Sequence, residues 1–285
     1  MKNPGFFADA EAGFKKGDYI LFGVPYDKTT SFRKGMDKAP EKIREMSWNF
    51  ERYNPITKID LKNLKIHDFG NLQVKNKKPV EMVEKVRFFT EKVLGQKKFP
   101  IAIGGEHSAS IGILQAFPKD TAVLSLDAHL DFRDAYQNEK YSHACVARRL
   151  TESQKKENIA ILGYRSAEKN EYEDALKQNI FLKSSFEIRN NGIERILKET
   201  EEKFEGKKIY LTLDVDVIDP GYAPGTGSPE PFGLTPFEVL KIIDFFSSKI
   251  VGFDIVEVSP KYDHGQTSVL AAKIIRYIIE KSEIK

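Results

Sequence analysis

The chain has 285 residues and a mass of 32.5 kDa, enough to bury a sizeable core without covalent staples. Charged residues make up 31% of it, but the two signs are interspersed and nearly cancel to +3, which argues against both a nucleic-acid-binding stripe and an acidic tail. A single cysteine, Cys145, excludes an internal disulfide and a thiolate-held metal, no apolar run is long enough to span a bilayer, and the first ten residues do not read as a signal peptide, so a cytoplasmic setting is expected.

Runs of Ile, Val, Leu and Phe alternate with amphipathic segments along the whole chain. In order, the pattern predicts a strand over 19–24, a helix over 40–52, a strand over 65–69, a helix over 79–94, and strands over 99–103 and 122–127. A helix over 142–151, strands over 159–163 and 180–183, a helix over 192–202, a strand over 209–214, a helix over 236–247, a strand over 251–256 and a helix over 268–281 complete the series. In the helix from Pro79, Val83, Val86, Phe89, Val93 and Leu94 form a one-sided apolar stripe.

Strand alternating with helix points to right-handed βαβ units and a mostly parallel sheet. No linker rich in Gly, Ser or Pro divides the chain, so residues 1–285 are expected to form one α/β domain. Strand count alone allows a closed barrel, but the uneven spacing favours an open, doubly wound sheet. Ligands of such sheets bind beyond the carboxyl ends of the strands, and chemically capable residues should collect there.

They do so at three strand ends. The run from Phe99 leads into Gly104-Gly105-Glu106-His107-Ser108, the run from Ala122 into Asp127-Ala128-His129-Leu130-Asp131, and the run from Ile209 into Asp214-Val215-Asp216. On an extended backbone Asp127, His129 and Asp131 would point to one side, and Asp214 with Asp216 would repeat that geometry. A lone Asp at a strand end is more often a cap, and a lone His among apolar neighbours a satisfied structural residue. Four carboxylates converging with two imidazoles are different, because they would repel or protonate unless cations neutralised them. Carboxylates with a minority of imidazoles and no thiolate suit Mn²⁺, and shared carboxylates allow a pair of ions roughly 3.5–4 Å apart.

These motifs, followed in order by Pro224-Gly225-Thr226-Gly227 and Asp254-Ile255-Val256-Glu257-Val258, resemble the ureohydrolase family of arginases and agmatinases. The resemblance runs from the strand before His107 to beyond Glu257. It implies the arginase-like three-layer αβα fold and two Mn²⁺ ions per chain. Asp127 and Asp214 would bridge the ions, His107 and Asp131 would complete one, and His129 and Asp216 the other. Asp131 would also help move the proton of the attacking water to the leaving amine. His143, in Tyr141-Ser142-His143-Ala144, matches a proton-shuttle histidine; on its sequence alone it is a helix N-terminal residue after a capping Ser142. Glu257 matches a guanidinium-holding glutamate, a role suited to a carboxylate that can accept two parallel hydrogen bonds.

Glu106 stands where many members of that family have Asp, Thr212 where many have Ser, and Ser228 and Phe232 depart from the family's glycine-rich forms. These changes leave the ligands intact but bear on substrate placement. His67 is expected to cap its strand end or line a pocket without being a ligand, His264 to lie in a loop near the last helix, and the Gly221–Gly225 turn at most to line the site. The resemblance implies hydrolysis of a guanidino group to urea and an amine. The segment from Asp131 to Tyr136 and on to Arg149 looks agmatinase-like, which puts agmatine first, aminopropylagmatine next, and arginine, a guanidino acid or a formimino compound behind them. A single-zinc deacetylase and a non-catalytic descendant are the other classes considered; the complete ligand set speaks against both. A homo-oligomer, trimer or hexamer, is a further implication of the resemblance.

Overall fold

The computed structural model describes residues 5–283. Its centre is an eight-stranded sheet in which each pair of neighbours runs parallel. In chain order the strands are β1 (Tyr19–Val24), then the short antiparallel pair β2 (Tyr53–Asn54) and β3 (Ile59–Asp60) outside the sheet, then β4 (Ile66–Asn71), β5 (Phe99–Gly104) and β6 (Ala122–Leu126). β7 (Ile159–Tyr164), β8 (Phe181–Ser184), β9 (Ile209–Asp214) and β10 (Ile250–Val256) follow. The order across the sheet is β4-β1-β5-β10-β9-β6-β7-β8. The open, doubly wound sheet expected from the sequence is the one observed, with every predicted strand present within a residue or two.

Alternation along the strands explains the layers. On β1, Leu21 faces one core and Ile20 with Phe22 the other; on β9, Leu211 and Tyr210 divide in the same way. The Leu21 side is covered by α1 (Ala39–Ser47), α7 (Ile193–Lys203), α8 (Pro236–Phe246) and α9 (Gln266–Glu283). The opposite side is covered by α2 (Pro79–Leu94), α3 (Ala109–Gln115) and α4 (Val146–Ser153). Two further helices, α5 (Lys169–Lys177) and α6 (Ser185–Asn191), flank β8.

Helix boundaries differ from expectation where tertiary contacts intervene. The helix predicted over 40–52 stops at Ser47 because the N-terminal segment ties its end: Trp48 Nε1 donates to the Phe6 carbonyl at 2.9 Å, and Ser47 Oγ takes the Ala8 amide at 2.8 Å. The helix predicted over 142–151 opens as a 3₁₀ turn at His143–Cys145, capped by Ser142, before becoming α-helical. α3 was not predicted, since six of its seven residues are buried and apolar or small, leaving no polar face to set a period. α5 and α6 were also missed, although each begins with a reciprocal cap, Glu168 with Glu171 and Ser184 with Glu187.

Candidate metal centre

The carboxyl ends of β5, β10, β9 and β6 lie side by side; polar residues at the ends of β10, β9 and β6 line one cleft of about 310 Å³, and His107, after β5, packs against two of them, Asp131 and Asp214. Close packing at the end of β5 requires glycine: a Cβ on Gly105 would stand 2.0 Å from the Tyr26 carbonyl oxygen. Beyond it the Glu106 amide donates to that same carbonyl at 2.8 Å, and His107 is buried beneath the sheet edge.

Asp127, His129 and Asp131 follow β6, but not as an extended run. Asp131 has φ 47°, a left-handed backbone that is costly for a residue with a Cβ, and the turn carries its carboxylate back toward His107. Asp214 is the last residue of β9, whereas Asp216 lies in the 3₁₀ turn Val215–Val217, its amide donating to Asp214 Oδ1 at 2.9 Å. The alternating geometry expected for this pair is therefore replaced by a turn that the first carboxylate caps.

The six side chains nevertheless converge. His107 Nδ1 lies 3.1 Å from Asp127 Oδ2, 3.1 Å from Asp131 Oδ2 and 3.4 Å from Asp214 Oδ2. His129 Nδ1 lies 2.9 Å from Asp216 Oδ2 and 3.8 Å from Asp127 Oδ1. Two groups of three, His107 with Asp127 and Asp214, and Asp127 with His129 and Asp216, have donor atoms all within 4.8 Å of one another, and Asp127 belongs to both.

The electrostatics match a site built for cations. Unit charges about 4 Å apart interact by about 4 kcal/mol at an effective dielectric of about 20, so these carboxylates cannot all ionise unaided. Burial, then the charge of Asp127, lifts Asp131 to about 7, and burial with Asp216 holds Asp214 well above the usual carboxylate range. Burial works to keep both imidazoles neutral, but the carboxylates outweigh it. His107 is pushed well up by Asp127 and Asp131, and His129 to about 10 by Asp216. Burial opposes ionisation of Asp216 too, yet His129 holds it below its ordinary value. The shifts thus mark a cluster that calls for positive charge, and its donors, carboxylate oxygens with two imidazoles and no thiolate, are those of a hard or borderline divalent ion. The residues fit a pair of such ions.

The back of the site is arranged to present one nitrogen of His107. Thr212 Oγ1 donates to Asp254 Oδ1 at 2.7 Å, and Asp254 Oδ2 accepts from Tyr210 at 2.7 Å. With its one proton so used, the threonine oxygen can only accept from His107 Nε2, 3.1 Å away, which leaves Nδ1 as the atom aimed at Asp127, Asp131 and Asp214. Asp254 and this use of Thr212 were not read from the sequence; both sit inside strands, where a buried polar residue was the available signal. Arg165 was missed as well. Its guanidinium donates to the Asp216 carbonyl at 2.7 Å and the Glu230 carbonyl at 2.6 Å, bracing the turn that carries Asp216.

Glu257 stands one residue past β10 with φ 62°, a second left-handed non-glycine in the site. Its Oε1 accepts the His107 amide at 2.7 Å, and the residue lines the cleft together with Asp131, Asp214 and Asp216. Burial holds its carboxyl well above the usual range. His143 is half-buried in the opposite wall, its ring edge-on to Tyr136 at 5.7 Å between centroids, and burial lowers it to about 4. Its amide donates to Thr29 Oγ1 at 3.0 Å, and Nε2 faces Ser31 Oγ at 3.5 Å. Thr29 and Ser31 were not picked out; they lie five and seven residues past the end of β1, whereas Asp127 and Asp214 stand directly at their strand ends. His67 lies away from the cleft, its Nδ1 against the Ala12 carbonyl at 2.8 Å, and His264 sits in the loop before α9. Among the described residues no helix is long and apolar enough to cross a membrane.

Comparison with known proteins places this geometry in context. The model of the Arginase family matches residues 17–280. The chain is 36% identical to an agmatinase of Bacillus subtilis over 96% of its own length and 94% of the relative's. It is also 36% identical to an N(1)-aminopropylagmatine ureohydrolase of Thermococcus kodakarensis, over 93% of this chain and 91% of that one. Among solved structures, the agmatine ureohydrolase of Thermoplasma volcanium superposes with a TM-score of 0.94 at 39% identity, covering 98% of this chain and 94% of the other.

Proposed function

The chain belongs to the arginase family, and from that premise we propose that it hydrolyses the guanidino group of agmatine to urea and putrescine at a binuclear manganese centre. The observation that carries this reading is the pair of donor groups sharing Asp127, whose members His129, Asp214 and Asp216 line the same cleft as Glu257 and His143. His107, Asp127, Asp131 and Asp214 would hold one ion, and Asp127, His129, Asp214 and Asp216 the other. When bound, the ions supply Lewis acidity and a nucleophilic water at neutral pH.

The chain's own residues supply position and proton transfer. Glu257 has Oε1 tied to the His107 amide, and its carboxylate takes the guanidinium by charge-assisted hydrogen bonds that orient the planar carbon toward the donor cluster. Asp131 accepts a proton from the attacking water and returns it to the departing amine, a role suited to a carboxyl poised at about 7. His143 Nε2, on the cleft side of its ring, exchanges protons between the leaving group and solvent.

The lining supports a substrate tail without a carboxylate. Arg133 is the cationic side chain of the lining, and it already faces Glu168 at 3.4 Å and Glu171 at 3.5 Å, so it is not free to take the acid end of arginine or a guanidino acid. The carboxylates there favour an ammonium. A tail lengthened by an aminopropyl group is the second reading, favoured by exposed Ser31 and Glu168 at the cleft mouth and by the Thermococcus relative. A cytoplasmic location is consistent with one buried, unpaired cysteine. Assembly into a homo-oligomer, trimer or hexamer, is supported by the exposed Ile56, Phe232 and Phe237. Urea release from agmatine, aminopropylagmatine, arginine and guanidinobutyrate by Mn²⁺-loaded protein tests the substrate. Turnover of agmatine or its aminopropyl derivative is expected to lead, and preference for either acid would overturn it.

A further inference from the structure

Glu106 lies beside a ligand but points away from the cluster. It is fully buried, and its carboxylate accepts three hydrogen bonds: the Thr29 amide on Oε2 at 2.8 Å, and the Thr29 and Ser108 hydroxyls on Oε1, each at 2.6 Å. Thr29 is the link to the cleft wall. Its Oγ1, having given its one proton to Glu106, receives the His143 amide at 3.0 Å and stands 3.2 Å from His143 Nδ1.

A hydroxyl has one proton and two lone pairs, and Thr29 has spent the proton. Only an Nδ1–H can then meet its oxygen; a bare Nδ1 would set lone pair against lone pair. Ser142 Oγ, 3.3 Å from the same nitrogen, accepts the Ala144 amide at 3.4 Å and can accept or donate, so it does not oppose this arrangement. The neutral imidazole carries a single ring proton, and with it on Nδ1 the lone pair belongs to Nε2, the nitrogen beside Ser31 at the cleft.

We propose that Glu106, acting through Thr29, is a positioning residue that holds His143 as the Nδ1–H tautomer and so keeps Nε2 free to take a proton from the cleft. The assignment rests on the reading of His143 as the proton carrier. It parallels the back of the site, where Asp254 acts through Thr212 on His107 to select the opposite nitrogen. In each case a buried carboxylate takes the threonine proton, and the imidazole must answer as a donor.

The test is the ¹⁵N spectrum of histidine-labelled protein loaded with diamagnetic Zn²⁺, His143 being identified by the resonances lost in His143→Asn. The parent chain is expected to show a protonated, pyrrole-like Nδ1 and a pyridine-like Nε2. In Glu106→Gln the side-chain amide can donate to Thr29 Oγ1, which returns the hydroxyl proton to Nδ1 and moves the ring proton to Nε2. Thr29→Val, which removes the accepting oxygen and leaves the Ser108 bond in place, also loses the Nδ1–H preference and covers the case in which Glu106→Gln fails to fold. Thr29→Ser keeps it. With Mn²⁺ and agmatine, kcat falls by about tenfold or more in Glu106→Gln and Thr29→Val, while KM stays within about twofold. A parent Nε2–H tautomer, or an Nδ1–H retained in every folded variant of Glu106→Gln and Thr29→Val, overturns the relay. Unchanged kcat in His143→Asn overturns the carrier reading instead, and the spectra still decide the relay.

Discussion

Thr212 Oγ1 stands 3.1 Å from His107 Nε2 while donating its own proton to Asp254, so the imidazole can meet it only as a donor. Thr212→Val keeps the shape of the side chain and removes that acceptor. The histidine then loses the bond that directs Nδ1 toward the cluster, and metal affinity is expected to fall by roughly 10–100-fold. Titration with Mn²⁺ followed by metal analysis measures it; an unaltered affinity would show that the strand threonine plays no part in ligand orientation.

Asp127 is the one residue common to both donor groups. Asp127→Asn keeps the volume but removes the charge and one strong donor. Urea release is expected to disappear and the bound metal to drop below two ions per chain. Full activity in this variant would refute the proposed centre.

Glu257→Gln tests the substrate contact separately from the metals. The amide can still accept from His107 N through its oxygen, but its NH₂ then faces the guanidinium, donor against donor. Loss of a charge-assisted hydrogen bond of about 1.5–3 kcal/mol predicts a fall in kcat/KM of roughly ten- to a hundredfold. Metal content should not change. If metal is lost together with activity, Glu257 serves the centre and not the substrate.

Chelation should make stability fall as pH rises. Burial and Asp127 raise Asp131 from 3.8 to about 7, so the metal-free folded state binds this proton more tightly than the unfolded chain and loses stability as pH climbs between those values. For His129 burial is outweighed by Asp216, and its pKa rises from 6.5 to about 10. Its contribution is intact below 6.5 and is lost on approach to 10. Asp216, held low, acts only below its ordinary value, and His143, lowered from 6.5 to about 4 by burial, opposes the loss only below 6.5. Thermal midpoints of the chelated protein should therefore drop from pH 5.5 to pH 8.5, and Mn²⁺ should flatten that slope. A chelated protein equally stable across the range would contradict these directions.

Fold and site were legible to different depths. Most sheet strands could be read because they are short apolar runs with polar ends, although β4, Ile-His-Asp-Phe-Gly-Asn, is not one, and the proposed ligands because chemically capable residues closely follow β5, β6 and β9. What escaped was set by contacts between distant segments. The left-handed backbones at Asp131 and Glu257 have no local signature, since neither residue is a glycine, and the turn at Asp216 could not be told from an extended pair. α3 hid because burial on all sides erases periodicity. The carboxylate–threonine links to His107 and His143 join residues 42 and 77 positions apart in their acid–threonine steps, a separation that no motif spans.

The strand order also says when the site can exist. β5 and β6 are consecutive in the chain, so a ribosome releases His107 and Asp127 early and close together, yet in the sheet β10 and β9 stand between them. The strands that set the spacing of the cluster, residues 209–214 and 250–256, are made after both of them. A nascent chain stalled before Ile250 has every proposed ligand but lacks β10 to complete the frame, and should retain no Mn²⁺ after gel filtration. The strand order thus implies that the carboxylates of the proposed centre come together only once both β9 and β10 have been made.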